Sequence, residues 1–136
     1  MLRITLEHQW RIRPEDGPTL PANSLLDLLA TVESSGSISE AGRELGLSYR
    51  HAWGLLQQAE RVFGQPLLVR GRGRGSALTE LGQKLIWADA RIGARLQPLL
   101  ESLASELEGE LGRVQRRRRA VPRLHASHGF AVAALR

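Results

Sequence analysis

Leu2, Ile4, Leu6, His8, Trp10 and Ile12 alternate with Arg3, Thr5, Glu7, Gln9 and Arg11. A period of two predicts a strand with one buried face. Such a strand needs a partner, either the hairpin expected near residue 70 or a second subunit. Pro14 to Pro21 carries three prolines and a glycine and reads as a loop. The period then lengthens. Leu25, Leu26, Leu28, Leu29 and Val32 predict a helix from about Ala22 to Ser35, ended by Gly36.

Ser37 and Glu40 form a Ser-x-x-Glu capping box that opens a second helix, with Ile38, Ala41, Gly42 and Leu45 inward. Gly46 suits the positive φ of a sharp turn, and Leu47 points back to the core. Ser48 is placed to cap a third helix running to about Phe63. Ala52, Leu55, Leu56 and Ala59 make its inward face, which leaves Tyr49, Arg50, Trp53 and Gln57 largely outward. Gly64 stops it. Pro66 to Arg70 and Ser76 to Leu78 read as two short strands around the tip Gly71-Arg72-Gly73-Arg74-Gly75.

Thr79 caps a fourth, long helix. Leu85, Ile92, Leu96, Leu99, Leu103 and Leu107 recur at spacings of three, four and seven, a seam for another helix. Pro98 removes one backbone bond and is expected to kink or split it. Arg116 to Arg119 reads as a solvated linker, or as a complement to the negative end of the preceding helix, with added nonspecific DNA affinity as the lesser reading. Leu124 to Leu135 has the pattern of a strand, a turn and a first helical stretch, too little to bury itself.

Two short helices, a tight turn and a basic hairpin in that order are the parts of a winged helix-turn-helix, which points to double-stranded DNA. The expected fold is therefore mainly α with a small β wing, followed by a long dimerisation or linker helix. Charge sharpens this reading only when located. The net +5 of the 136 residues arises in the tail, because residues 112–136 hold seven arginines and no acid. Between Ser48 and Ser76, however, Arg50, Arg61, Arg70, Arg72 and Arg74 face Glu60 alone. A local positive patch argues for a phosphate-facing surface better than the overall charge does.

Other classes lose ground. There is no cysteine, which excludes disulfides, thiolate catalysis and cysteine-ligated zinc. No apolar run is long enough to span a bilayer, and no signal peptide opens the chain, so a cytoplasmic location is expected. His125 and His128 lack carboxylate or cysteine company, so neither a metal nor a cofactor is expected. No nucleophile–base arrangement or phosphate-binding loop suggests an enzyme.

The candidate DNA-binding residues are Ser48, Tyr49, Arg50, His51, Trp53, Arg70, Arg72 and Arg74. Arg50 suits the O6 and N7 edge of guanine. Tyr49 can reach a base methyl or a phosphate, and Ser48 with the helix N-terminus can hold a phosphate. His51 can contact backbone or base. Trp53 is expected to pack with partial exposure. Gly54, costly within a helix, is expected where a backbone or another element approaches closely. The wing arginines would project toward phosphates or the minor groove. The alternative reading is a winged-helix interaction or dimerisation module that does not touch DNA.

Gly36-Ser37-Ile38-Ser39, Ser48-Tyr49-Arg50-His51-Ala52-Trp53, Pro66-Leu67-Leu68 and Leu78-Thr79-Glu80-Leu81-Gly82 together resemble the DNA-binding domain of the molybdate-responsive ModE family, a relative of the LysR-type N-terminal domain. The resemblance covers about residues 1 to 97. It implies a homodimer on a palindromic operator, controlling oxyanion transport or metabolism genes. It carries the DNA contacts over to Ser48, Tyr49, Arg50 and the wing arginines. The tail from Leu124 is similar to the start of a periplasmic-binding-protein-like effector domain, so an oxyanion effector would be sensed only by a full-length form. The expected division is 1–78 for the winged helix-turn-helix, 79–115 for the long helix, and 116–136 for a basic linker and the disordered start of the effector domain.

Overall fold

A computed structural model describes residues 2–70 and 75–120. The element order is α1 (Ala22–Ser35), α2 (Ile38–Leu45), α3 (Tyr49–Phe63), β1 (Leu68–Arg70), β2 (Ser76–Leu78) and α4 (Glu80–Ala120). Among the described residues this is a mainly helical fold with a two-stranded antiparallel wing.

Local chemistry sets the boundaries. Gly36, Gly46 and Gly64 end the first three helices in the left-handed region, with φ of 84°, 70° and 71°. Ser37 Oγ accepts from Glu40 N, and Ser48 Oγ accepts from His51 N. The expected capping box at α2 is half formed, because the Glu40 carboxylate accepts instead from Arg43, one turn on. The turn between α2 and α3 is closed by Leu47 N donating to Gly42 O at 2.8 Å. A Cβ on Gly42 would lie 3.0 Å from Leu47 O, so any larger residue would press on the turn.

The core is built from the apolar stripes of the three helices. Leu25, Leu28, Leu29 and Val32 of α1 are fully buried and meet Ala52, Leu55, Leu56 and Ala59 of α3 in one cluster. Leu67 and Leu78 bring the wing into that cluster, and Leu81, Leu85 and Ile86 of α4 pack against it. The wing pairs Leu68 with Leu78, Val69 with Ala77 and Arg70 with Ser76. Ser76 N donates to Gly36 O at 2.9 Å, which ties the wing to the turn between α1 and α2.

Thr79 joins wing and long helix. Its N–H donates to Leu67 O, its hydroxyl donates to Pro66 O, and the same oxygen accepts from Gly82 N. The backbones come so close here that a Cβ on Gly82 would sit 2.7 Å from Leu67 O. Gly82→Ala should therefore cost about 1–3 kcal/mol by overpacking, read as a lower midpoint in thermal or urea unfolding.

The N-terminal segment departs from expectation. Residues 2–11 form no strand, and Ile12 makes only an isolated bridge to Leu20. The alternation is nonetheless real in burial, since Ile4, Leu6, His8, Trp10 and Ile12 are half-buried between exposed neighbours. Side chains rather than a strand edge hold the segment. The Asp89 carboxylate of α4 accepts from the Trp10 indole and bonds the His8 ring, both at 2.8 Å. Asn23 of α1 bonds the Trp10 backbone in both directions.

α4 also departs from expectation. It is one helix through Pro98 rather than two, and Arg116 to Arg119 belong to its end rather than to a linker. Arginine is a good helix former, and cations are favoured at a helix C-terminus. Among the described residues, close contacts group His8–Leu96 into one unit and residues 2–7 with 97–120 into another. In the second unit Ile4 N donates to a Glu108 carboxylate oxygen at 2.6 Å, and Ala104 is buried. The expected tail elements from Leu124 onward lie outside the described residues.

Candidate nucleic-acid interface

α3 divides cleanly by side-chain chemistry. Its four buried residues, Ala52, Leu55, Leu56 and Ala59, all have small or aliphatic side chains. Directly opposite lie Arg50, Gly54, Gln57 and Arg61, all exposed. At 100° per residue these four fall within about 60° of arc. They form the outermost line of the helix. Arg50, Gln57 and Arg61 make no hydrogen bond or ion pair with any described residue. A row of free donors held up by a rigid core suits recognition of an edge rich in acceptors.

Tyr49 and Trp53 flank this line on the side of the wing. Their rings meet edge to face, with centroids 6.1 Å apart at 71°. Trp53 is 38% exposed, as expected for partial packing, and Tyr49 is 55% exposed. Both line a groove of about 450 Å³ between α3 and β1, together with Val69, Arg70 and the start of α2 at Ser37. His51 lies on the opposite flank and is exposed.

The first turn of α3 leaves donors to spare. Ser48 Oγ takes the His51 N–H and Ser48 O takes the Ala52 N–H. The N–H groups of Tyr49 and Arg50 remain at the solvent-facing end, where the helix dipole favours an anion. Ser48, Tyr49, Arg50, His51 and Trp53 are thus gathered at the N-terminal end of α3, with His51 on the flank away from Tyr49 and Trp53. Arg70 stands exposed at the end of β1, beside the groove. Arg72 and Arg74 lie outside the described residues.

Two residues of this face, Val69 and Gln57, are not among the candidate contacts named from the sequence, and Gly54 has surroundings other than those expected. Val69 is 48% exposed in the wing and adds an apolar contact beside Trp53. Gln57 falls on the same line as Arg50 and Arg61, a placement its spacing of seven from Arg50 already encodes. Gly54 was expected at a close approach within the fold, but a Cβ there would meet nothing within 4 Å. Among the described residues no group of three histidines or acids could hold a metal, and no helix is long and apolar enough to cross a membrane. His125 and His128 lie outside the described residues.

Residues 24–83 match the bacterial regulatory helix-turn-helix protein, lysR family. Over these residues the chain is similar to a LysR-type helix-turn-helix domain. The match contains α1 from Ser24 onward, α2, α3 and both wing strands, and so the residues that line the groove. Two curated relatives extend the comparison. The chain is 39% identical over 84 residues to the molybdenum-pterin-binding protein MopB of Rhodobacter capsulatus, covering 59% of this chain and 31% of MopB. It is 37% identical over 65 residues to the DNA-binding transcriptional dual regulator ModE of Escherichia coli K12, covering 45% of this chain and 25% of ModE. The chain therefore spans about a third or less of either relative. Full-length LTTR LysG from Corynebacterium glutamicum shares the fold, with a TM-score of 0.51 and 24% identity over 68% of this chain and 30% of that one.

Proposed function

We propose that this LysR-like domain binds double-stranded DNA in a sequence-specific way, as part of a transcription regulator. The observation that carries the reading is the exposed line of Arg50, Gln57 and Arg61, opposite the buried face of α3 and beside a basic wing. Arg50 reads a guanine edge. Tyr49, Trp53 and Val69 offer apolar contact to sugars and thymine methyls. Ser48, Arg70, Arg72 and Arg74 take phosphates and fix the register.

The finer reading is a homodimer on a palindromic operator. Leu99, Leu103 and Leu107 of α4 are all exposed at helical spacing, which supports pairing with a second copy. One relative is a molybdenum-pterin-binding protein and the other a DNA-binding regulator. They support control of molybdate- or tungstate-type oxyanion genes, with the effector sensed by a longer form of the protein.

Selection of bound duplexes from a random pool tests the reading. Enrichment of a two-fold symmetric sequence is expected, and recovery of a pool indistinguishable from the input contradicts it. With about six phosphates neutralised, affinity should drop about a thousandfold between roughly 50 and 200 mM salt. Titration by fluorescence anisotropy at several salt concentrations reads this slope.

A further inference from the structure

We infer that Gly54 is a clearance notch through which α3 seats against DNA, and that Gln57 beyond it is a second base-reading residue. The inference rests on the DNA-binding reading and deepens it. Glycine inside a helix interior weakens that helix. Such a position persists for a reason, and two internal reasons are absent. Gly54 has ordinary helical backbone, since the positive-φ glycines are Gly17, Gly36, Gly46 and Gly64. A Cβ on Gly54 would also meet nothing within 4 Å, unlike those on Gly42 and Gly82, which face backbone carbonyls at 3.0 and 2.7 Å. The space over Gly54 is therefore open to something outside the fold.

Its surroundings point to what enters. Gly54 is flanked on the outermost line by Arg50 one turn before and Gln57 one turn after, both exposed and without partners among the described residues. Arg50 and Gln57 are seven residues apart, about 10 Å along the axis, close to the rise of three base pairs at about 3.4 Å each. Both side chains leave the helix in nearly the same direction, with the notch between them. A helix pressed into a groove along this line brings its backbone nearest to the duplex at Gly54. Gln57 then meets a base edge about three pairs from the one Arg50 meets. Its amide matches N6 and N7 of adenine with one donor and one acceptor.

The test uses duplexes selected by the wild-type protein and compares wild type, Gly54→Ala, Gln57→Ala and Arg50→Ala on them. Gly54→Ala should melt a few degrees higher than wild type, because the helix gains and nothing clashes. The same variant should bind the selected duplex at least tenfold more weakly. Gln57→Ala should keep the wild-type salt slope and lose about tenfold in discrimination at one base pair, about three pairs from the position affected by Arg50→Ala. Gly54→Ala that binds as tightly as wild type overturns the notch. Gln57→Ala with an unchanged preference at every position overturns the second contact. A wild-type protein that enriches no duplex overturns this inference and the DNA-binding reading together.

Discussion

Leu28→Ala should lower the unfolding free energy by about 2–5 kcal/mol. Leu28 is fully buried in α1, within the cluster that joins α1, α3 and the wing. Truncation removes burial and leaves a cavity that three rigid elements cannot all close. A loss of that size is a large share of the roughly 5–15 kcal/mol that holds an ordinary domain together. Urea unfolding should show the midpoint falling with little change in slope. The wing also depends on this core, through Leu67 and Leu78, so the groove should loosen with it. By contrast Leu103, exposed on α4, should tolerate alanine with a change within about 0.5 kcal/mol of the folded monomer's stability.

Arg50→Ala should have the largest effect on recognition. The expected loss at a matched operator is about 1–3 kcal/mol, or roughly tenfold to a hundredfold, concentrated at one base pair. Arg50 is exposed and has no partner among the described residues, so the variant should fold as wild type does. Arg72→Ala should behave differently. A phosphate contact carries no sequence information, so matched and mismatched duplexes should weaken by the same factor, and the salt slope should fall by about one. Anisotropy titrations on both duplexes separate the two roles. Identical profiles for the two variants would contradict the division of labour between helix and wing.

Much of the fold could be read from the sequence because its boundaries are set by local chemistry. Gly36, Gly46 and Gly64 stop helices where a positive φ is needed, and Ser37 and Ser48 start them by accepting a backbone N–H. These signals act over four residues and do not depend on tertiary context. The stripe Ala52, Leu55, Leu56 and Ala59 likewise fixes which way α3 faces, and with it the outward line of the interface.

The departures share a physical cause: the same pattern serves two structures. Alternation over residues 2–12 reports which side chains are covered, not what covers them. Here the Asp89 side chain holds His8 and Trp10, where a sheet would have used backbone. Proline costs a helix one hydrogen bond, and α4, with 41 residues, runs on through Pro98. A run of arginines is equally at home in solvent and on a helix end, and charge alone does not separate the two. Gly54 shows the same limit on the functional side. Its cost is visible in the sequence, but only the geometry reveals that nothing inside the fold requires it.

The central claim is that the exposed face of α3 enters a duplex groove. Backbone amide shifts of the folded protein, followed by NMR as a selected duplex is added at low salt, test it most directly. The largest shifts should fall between Ser48 and Arg61 and at Arg70, with Leu25 to Val32 of α1 little moved. Shifts confined to α4, with the Tyr49 to Arg61 face unchanged, would contradict it.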